Sequence, residues 1–493
     1  GGYLRGFGMR YATADLQNTV YERQTSIVIE DMLKDWSGRN VLILGAARQG
    51  TALARYLAQR GARVTINDYL PAEKLGLAIA SLRDLGTRVH WVTGGHPVEV
   101  LEQVDLVCVS GGVPLENLIV KEALARGIPL SNDSQIFLET APCQVIGITG
   151  SAGKTTTTTL VGRMALESDK SKAEGSLQPA NRVFVGGNIG SPLIASVSEM
   201  RNGDLAIMEL SSFQLEIMTR SPQIAAVLNV TPNHLDRHAT MEAYTAAKSQ
   251  ILAYQTPEDA AILGREDPGA WGLMDRVQGR LISFGLARPE SGAGTYLRGD
   301  DLYYMDRGAE TRLMPLSSVQ MRGEHNLLNV LAACAIAAAA GLPVEAMRSG
   351  VEGFKGVPHR LEFVRNWGGA DWYNDSIATA PERAMAAIRS FDEPIILLAG
   401  GRDKDLPWEE FASLVKERVD HLVLFGEAAD KIAHAMGAFP YVRCAGLHDA
   451  VRAAVRLVEP GDVVLLSPGG TSFDEFKDFE ERGECFKQLV MSL

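Results

Sequence analysis

The sequence predicts an α/β protein of three consecutive domains, each a largely parallel sheet flanked by helices, and three observations carry that prediction. Apolar runs of strand length recur along the chain and end in glycine-rich turns that reopen as helices. One of these turns, between a strand and a helix, bears a Gly-Lys-Thr signature suited to phosphate. A chain of 493 residues also exceeds what one hydrophobic core supports. The expected divisions are residues 1–142, 143–356 and 357–493.

In the first division, VLILGAARQG reads as a buried strand running into a glycine turn. An amphipathic helix (TALARYLAQRGA) follows, then a second strand ending at Asp68. Further apolar runs at Val104 to Ser110 and Ile128 to Leu130 complete a nucleotide-type, Rossmann-like parallel sheet. The turn departs from GxGxxG, because Ala47 stands at the second glycine, so a dehydrogenase reading from this loop is weak.

The chain restarts near Ala141-Pro142 with the strand CQVIGITG, a glycine loop and a threonine-rich helix start. Strands at Leu205 to Leu210 and Ile224 to Val230, with helices at Met241 to Tyr254 and Leu327 to Ala340, predict a second parallel sheet of P-loop ATPase type. Gly341-Leu342-Pro343 stops the last helix, and Gly353 to Pro358 reads as a linker. The polar stretch from Glu167 to Asn181 reads as a mobile surface loop. The third division alternates WYND, a helix from Pro381 to Ser390, PIILLAGG, the helix LPWEEFASLVKER, HLVLFG, a helix, DVVLLSPGG and a final helix, a second Rossmann-like pattern.

Composition limits the function. With 46% hydrophobic and 22% charged residues and no apolar run of membrane-spanning length, the chain is expected to be soluble and without a membrane span. The first 20 residues lack a signal-peptide pattern, which predicts a cytoplasmic enzyme. A formal charge of −12 opposes a nucleic-acid partner. The five scattered cysteines Cys108, Cys143, Cys334, Cys444 and Cys485 never form CxxC, which predicts free thiols and no zinc site.

The strongest local signal is Gly147 to Thr156. Small residues Gly150, Ser151, Ala152 and Gly153 let backbone N–H groups close on phosphate oxygens, and the following helix N-terminus adds positive potential. Lys154 supplies a point charge, and Thr155, followed by Thr156, offers a hydroxyl to Mg²⁺. A strict Walker loop would have glycine at Ile148, whereas the shorter GxxGKTT is present. Glu209 closes one later strand and His234 follows another, where parallel-sheet ligands gather. A carboxylate suits a hard cation, while a lone histidine is more often a satisfied hydrogen-bonding residue than a ligand.

These residues, taken with GGNIG (Gly186 to Gly190), ELSSFQLE, NVTPNHLDRH, YTAAKSQIL, GEHNLLNVLAA, PHRLE, YNDSIATAP, LLAGGRDKDLP and SPGGTSFDEFKDFEERG, resemble the blocks of the Mur ligases in that family's order over nearly the whole chain. The resemblance implies an ATP-dependent ligase of peptidoglycan precursor synthesis that works through an acyl phosphate. The tail and the Rossmann-like first domain are most similar to members that add D-glutamate to UDP-N-acetylmuramoyl-L-alanine. It implies an N-terminal domain for the UDP substrate, a central ATP domain, a C-terminal amino-acid domain and a monomer.

The resemblance gives Lys154, Asn188, Glu209, His234 and Lys248 catalytic roles, and two Mg²⁺ ions shared among Thr155, Glu209, His234 and Lys248. Lys248 would carry a CO₂-derived carbamate, which exchanges a repelling ammonium for oxygen ligands. By spacing alone it is a helix-surface lysine facing water. Asn326, Asn329, Arg360 and Asp375 are implied for the nucleotide, with Arg360 suited to phosphate by its planar fork. Thr379, Lys404, Ser472 and Phe479 are implied for the incoming glutamate, and Gln49, Asp68 and Ser110 for the uridine diphosphate, although Asp68 also reads as a cap on its strand. Ile377 stands where many members have lysine and Asn233 where aspartate is common, so the identity and hand of the amino acid stay open. A dinucleotide oxidoreductase, an ATP-regulated binding module and a folate-polyglutamylating ligase are the competing readings.

Overall fold

The computed structural model describes residues 35–173, 181–188, 190–231, 238, 240–403 and 406–493. Three sheets follow one another along the chain. The first has the order β3-β2-β1-β4-β5, all parallel, with β1 at Asn40–Leu44, β2 at Arg63–Asp68, β3 at Val89–Thr93, β4 at Leu106–Val109 and β5 at Leu130–Ser131. β1 and β4 are buried along nearly their whole length because both faces are covered, which is why they read as unbroken apolar runs.

The second sheet has the order β14-β13-β12-β11-β10-β9-β6-β8-β7. At its centre β6 (Gln144–Thr149) lies between β8 (Leu205–Glu209) and β9 (Ile224–Val227), with β7 (Val183–Gly187) outside β8. β10 (Ala260–Gly264), β11 (Arg280–Phe284) and β12 (Ala293–Arg298) continue the parallel set. The parallel set expected from the sequence ends at the far edge, where β13 (Asp301–Asp306) and β14 (Ala309–Pro315) pair antiparallel, strands that the sequence reading did not include. Two-residue turns make this possible: Gly299 at φ +59°, then Arg307 and Gly308 at φ +48° and +81°, conformations that match strand twist in tight hairpins. The stretch Glu167 to Asn181 is corrected, since the Lys154–Ala173 helix runs through its first half, while residues 174–180 lie outside the described residues.

The third sheet has the order β15-β16-β20-β17-β18-β19. β16 (Ala370–Asn374), β20 (Val463–Gly469), β17 (Ile395–Gly400), β18 (His421–Phe425) and β19 (Tyr441–Arg443) are parallel, and β15 (Glu362–Trp367) pairs antiparallel with β16. Every residue of β17 and β20 is buried.

The chain forms two compact units. One runs up to Val319 and resumes over His325–Glu352. The other holds Gln320–Glu324 and Gly353–Leu493. The first two sheets share one apolar core, in which Ile43 and Leu57 join Met208, Leu215 and Ala225. In the other unit Arg322 anchors the short 320–324 segment, pairing with Glu393 and with Asp371 (3.2 Å) and lying 5.6 Å from the Tyr373 ring centre. Exposed ion pairs contribute only about 0–1 kcal/mol each, so the segment depends on the three contacts together. Four cysteines are buried free thiols and Cys485 is half-buried. Among the described residues no helix is long and apolar enough to cross a membrane.

Trp372 is fully buried between Trp367 and Phe486, with ring centres 6.2 Å from each. Trp372→Ala is expected to destabilise its unit by about 3–5 kcal/mol. Urea unfolding followed by circular dichroism checks this, and a midpoint close to wild type would contradict the packing described.

Candidate functional site

The loop after β6 is stitched to its neighbours before any side chain faces outward. The Asn229 side chain clamps the Ala152 backbone, accepting its N–H at 2.8 Å and donating to its carbonyl at 3.1 Å. Ser151 Oγ donates to the Thr231 carbonyl at 2.9 Å and accepts the Thr231 N–H at 3.0 Å. Gly153 sits at φ +81°, and a Cβ there would lie 2.2 Å from Asn329 Oδ1, so both conformation and space demand glycine. Asn329 also accepts from Thr157 Oγ1 at 3.5 Å and donates to Asn326 Oδ1 at 3.3 Å. The two asparagines therefore pack against the phosphate loop from the Glu324–Ala339 helix.

Around this loop the strand ends collect the predicted residues. Glu209, the last residue of β8, is 2% exposed. Its two carboxylate oxygens accept from Thr155 Oγ1 at 2.9 Å and Asn188 Nδ2 at 3.2 Å. Lys154 Nζ donates to the Gly150 carbonyl at 2.8 Å, and Lys248 Nζ donates to the same carbonyl at 3.0 Å. The surface reading of Lys248 is overturned: it is 1% exposed, inside the Met241–Ala253 helix face that packs under the loop. Burial, and after it the nearby Lys154 charge, pull its pKa down to about 6. The Tyr244 ring centre lies 4.6 Å from Lys248 Nζ, and the Tyr244 hydroxyl meets Ser151 Oγ at 3.1 Å. His238 stacks on Phe213 and bonds Ser212 Oγ at 2.9 Å. His234 lies outside the described residues. The arrangement offers backbone N–H groups, one ammonium, one carboxylate and an amine held neutral at pH 7.

In the first sheet Gln49 and Ser110 line one recess at the carboxyl ends of β1 and β4, together with Asp133. Burial raises Asp133 to about 7. Asp68 behaves as a cap: one carboxylate oxygen accepts the Ala46 N–H at 2.7 Å and the other the Leu70 N–H at 2.9 Å. Arg48, which the sequence reading passed over, donates to the Gly190 carbonyl at 3.1 Å and so ties the first glycine turn to the second-sheet loop.

In the other unit Arg360 is flanked by two residues in the left-handed region, His359 at φ +64° and Leu361 at φ +41°. Such residues cost about 1–3 kcal/mol each and persist where neighbours fix them. Here the His359 N–H donates to Glu362 at 2.8 Å and the Leu361 N–H to Asp375 at 3.2 Å. Arg360 Nε is buried without a hydrogen-bond partner among the described residues. Asp375 accepts from Ser467 Oγ at 2.8 Å, and burial lifts its pKa to about 7 against that bond and the nearby arginines. Phe479 sits edge-on to His359 with ring centres 6.2 Å apart, and its carbonyl accepts from Ser376 Oγ at 2.8 Å. Ser472 is buried, and its carbonyl accepts the N–H groups of Glu475 and Phe476. Thr379 follows on the loop before the Pro381–Ile388 helix, its N–H bonded to the Ile377 carbonyl at 2.9 Å. Lys404 lies outside the described residues. Arg482, also missed in the sequence, is fully buried and donates to the Ser376 hydroxyl at 3.0 Å and to the Ser376 and Gly470 carbonyls at 2.9 Å and 3.1 Å. Its charged position in FEERG gives no sign of burial.

Sequence comparison places this architecture in a family. Residues 39–132 match the "Mur ligase MurD-like, N-terminal domain", residues 148–337 the "Mur ligase middle domain" and residues 359–470 the "Mur ligase, glutamate ligase domain". The chain belongs to the Mur ligase family. Among its relatives, the UDP-N-acetylmuramoylalanine–D-glutamate ligase of Symbiobacterium thermophilum is 42% identical over 92% of this chain and 97% of its own. The enzyme of the same name from Pelotomaculum thermopropionicum is 41% identical over 94% and 99%. Among solved structures, the MurF ligase of Thermotoga maritima in complex with ADP aligns with a TM-score of 0.52 at 18% identity, covering 92% of this chain and 96% of that one. A pseudomurein peptide ligase type C from Methanothermus fervidus aligns at 0.53 and 15%, covering 92% and 100%, and both likenesses concern the fold.

The buried amine makes a stability prediction. An exposed lysine titrates near 10.5 and Lys248 in the fold near 6, so between those values the unfolded chain binds one proton more. Stability is then lowest below about pH 6 and rises with pH through that window by about 1.4 kcal/mol per unit. In metal-free, CO₂-free buffer, Lys248→Met is expected to be more stable than wild type at pH 7, with the gap closing toward pH 10. Parallel denaturation curves at all pH values would contradict the burial.

Proposed function

We infer that this chain is an ATP-dependent ligase that joins D-glutamate to UDP-N-acetylmuramoyl-L-alanine in peptidoglycan precursor synthesis. Its full-length likeness to D-glutamate ligases carries the reading, and the phosphate loop with Glu209 and the buried Lys248 is the chemistry that reading requires. The substrate carboxylate takes the γ-phosphoryl group of ATP, ADP leaves, and the glutamate amine then displaces phosphate from the acyl phosphate and gives up a proton.

In this reading the N–H groups of Gly150 to Thr156 and the Lys154 ammonium hold the phosphates and draw charge from the moving phosphoryl group. Glu209, Thr155 and Asn188 gather around one point and present hard donors, which fits a magnesium ion; His234 is assigned beside them. Bound there, Mg²⁺ would neutralise phosphate charge. Lys248 is the residue suited to carbamylation, because only a neutral amine attacks CO₂, forming an N–C bond and releasing one proton. Its low pKa supplies that amine near neutral pH. The carbamate would add oxygen donors close to the loop.

Asn326, Asn329, Arg360 and Asp375 are assigned to the nucleotide. The orphaned Arg360 Nε supports an anionic partner, since a buried donor without an acceptor costs about 1–3 kcal/mol. Thr379, Lys404, Ser472 and Phe479 are assigned to glutamate, and Gln49, Ser110 and the Asp68 turn to the uridine diphosphate. The functional divisions are residues 1–142, 143–356 and 357–493, and the enzyme is proposed to act as a cytoplasmic monomer.

Phosphate release with ATP and UDP-N-acetylmuramoyl-L-alanine should require D-glutamate within a panel of amino acids of both hands, with one amide formed per phosphate. Hydrolysis without amide formation would reject the reading. Lys248→Ala should lose about 100-fold or more in turnover, the scale of one preorganised charge-stabilising group. Added short carboxylates should partly restore it, and wild-type turnover without them would remove Lys248 from the site.

A further inference from the structure

In the unit that holds the third sheet, two arginines share a neighbourhood for which the chain supplies no counter-ion. Arg360 lies just before β15, fixed by the left-handed residues on either side of it, and its Nε is buried without a hydrogen-bond partner among the described residues. Arg383 is the third residue of the Pro381–Ile388 helix. Neither guanidinium makes a hydrogen bond or an ion pair among the described residues. The two charges are nevertheless close enough to act on each other. Loss of solvent around its guanidinium, and after it the Arg360 charge, pull the Arg383 pKa below its ordinary value.

The nearby carboxyl groups do not answer that charge. Asp375 directly follows β16 and is buried, and its two oxygens accept from neutral donors, the Leu361 N–H at 3.2 Å and Ser467 Oγ at 2.8 Å. Glu382, beside Arg383 in the helix, is exposed and lies in no ion pair among the described residues. The helix adds to the cost. Its amino end carries partial positive charge, and no side chain caps its first N–H groups, since Ala380 stands at the cap position. A cation in this first turn is set against the helix dipole, where an acidic residue would be the stabilising choice. Two unpaired guanidiniums and an uncapped helix end thus stand together, and an anion relieves all three.

We propose that Arg383 is the second arm of a phosphate clamp, which grips one phosphate group of the bound nucleotide between its guanidinium and that of Arg360. This rests on the reading that Arg360 and Asp375 serve the nucleotide, and it adds a residue to which that reading gives no role. A guanidinium fork offers paired N–H donors that match phosphate oxygens, and charge-assisted bonds of that kind are about twice as strong as neutral ones. Arg383 therefore takes a position that is unfavourable in the empty protein and favourable in the loaded one.

Calorimetry with magnesium ADP on the full chain tests the proposal, with urea unfolding of the nucleotide-free protein as a second measurement. Arg383→Met keeps the aliphatic stem and removes the charge. It should weaken ADP about tenfold or more, the scale of charge-assisted hydrogen bonds to one phosphate. Arg383→Lys, which keeps the charge without the fork, should fall between that variant and wild type. Without nucleotide, Arg383→Met should unfold at a urea midpoint equal to or above that of wild type, because a like charge and an opposed dipole are removed. A residue of purely structural value would move that midpoint down. ADP weakened less than about threefold in Arg383→Met overturns the proposal, as does a lowered midpoint. So does a raised KM for the amino acid at unchanged ADP affinity, which would put the anion on the acceptor. A wild-type chain that binds no ADP at all instead defeats the nucleotide reading on which the proposal rests.

Discussion

One carbonyl organises the centre of this protein. Gly150 directly follows the strand β6, and its carbonyl receives two lysine side chains, Lys154 from its own loop and Lys248 from a helix almost 100 positions later, at 2.8 Å and 3.0 Å. Two amines at one acceptor in a buried place cannot both stay charged without cost, and the more deeply buried Lys248 yields its proton. A polar contact thereby becomes a chemical difference, with an ammonium beside a neutral amine, the pair proposed above for phosphate and carbon dioxide. Everything that fixes Gly150 serves that difference, including the Asn229 clamp on Ala152 and the Tyr244 hydroxyl on Ser151.

The other unit achieves precision by a different route. Arg360 is placed by backbone rather than by packing, with a left-handed residue on each side and hydrogen bonds to Glu362 and Asp375 that hold the segment there. Asp375 serves two purposes at once: it accepts the Leu361 N–H and is proposed for the nucleotide. A carboxyl pushed to about 7 by burial is sensitive to any cation or donor brought near it. Arg482 is a second buried cation, its Nε and Nη2 donating to one hydroxyl and two carbonyls while Nη1 is buried without a hydrogen-bond partner among the described residues.

Between the first two sheets the shared core does more than add stability. The SSFQLE block, which follows Glu209, caps its own short helix through Ser211 and Gln214. The same Gln214 donates to Ser134 at 2.8 Å, and its carbonyl accepts from Asn132 at 2.8 Å. The strand end that carries Glu209 is thus tied directly to the domain proposed for the sugar nucleotide. Arg48 provides a second tie at Gly190. Changes at the first sheet therefore have short physical routes to the phosphate loop.

Read alone, the residues determined the α/β class, the phosphate loop and the order of the blocks, because buried parallel strands leave continuous apolar runs and phosphate loops need small residues at fixed spacing. They did not reveal the antiparallel edge of the second sheet, whose half-exposed strands have weak apolar patterns, or the helix running through Glu167. Lys248 is the sharpest case. Its helix spacing pointed to water, and only the packing of the Met241–Ala253 helix under a distant loop decided that it is buried and neutral. The same holds for Asp68, a candidate ligand by position that the fold spends on two backbone N–H groups. Local spacing specifies which groups a chain owns; burial, charge state and proton position depend on neighbours that only the folded chain brings together.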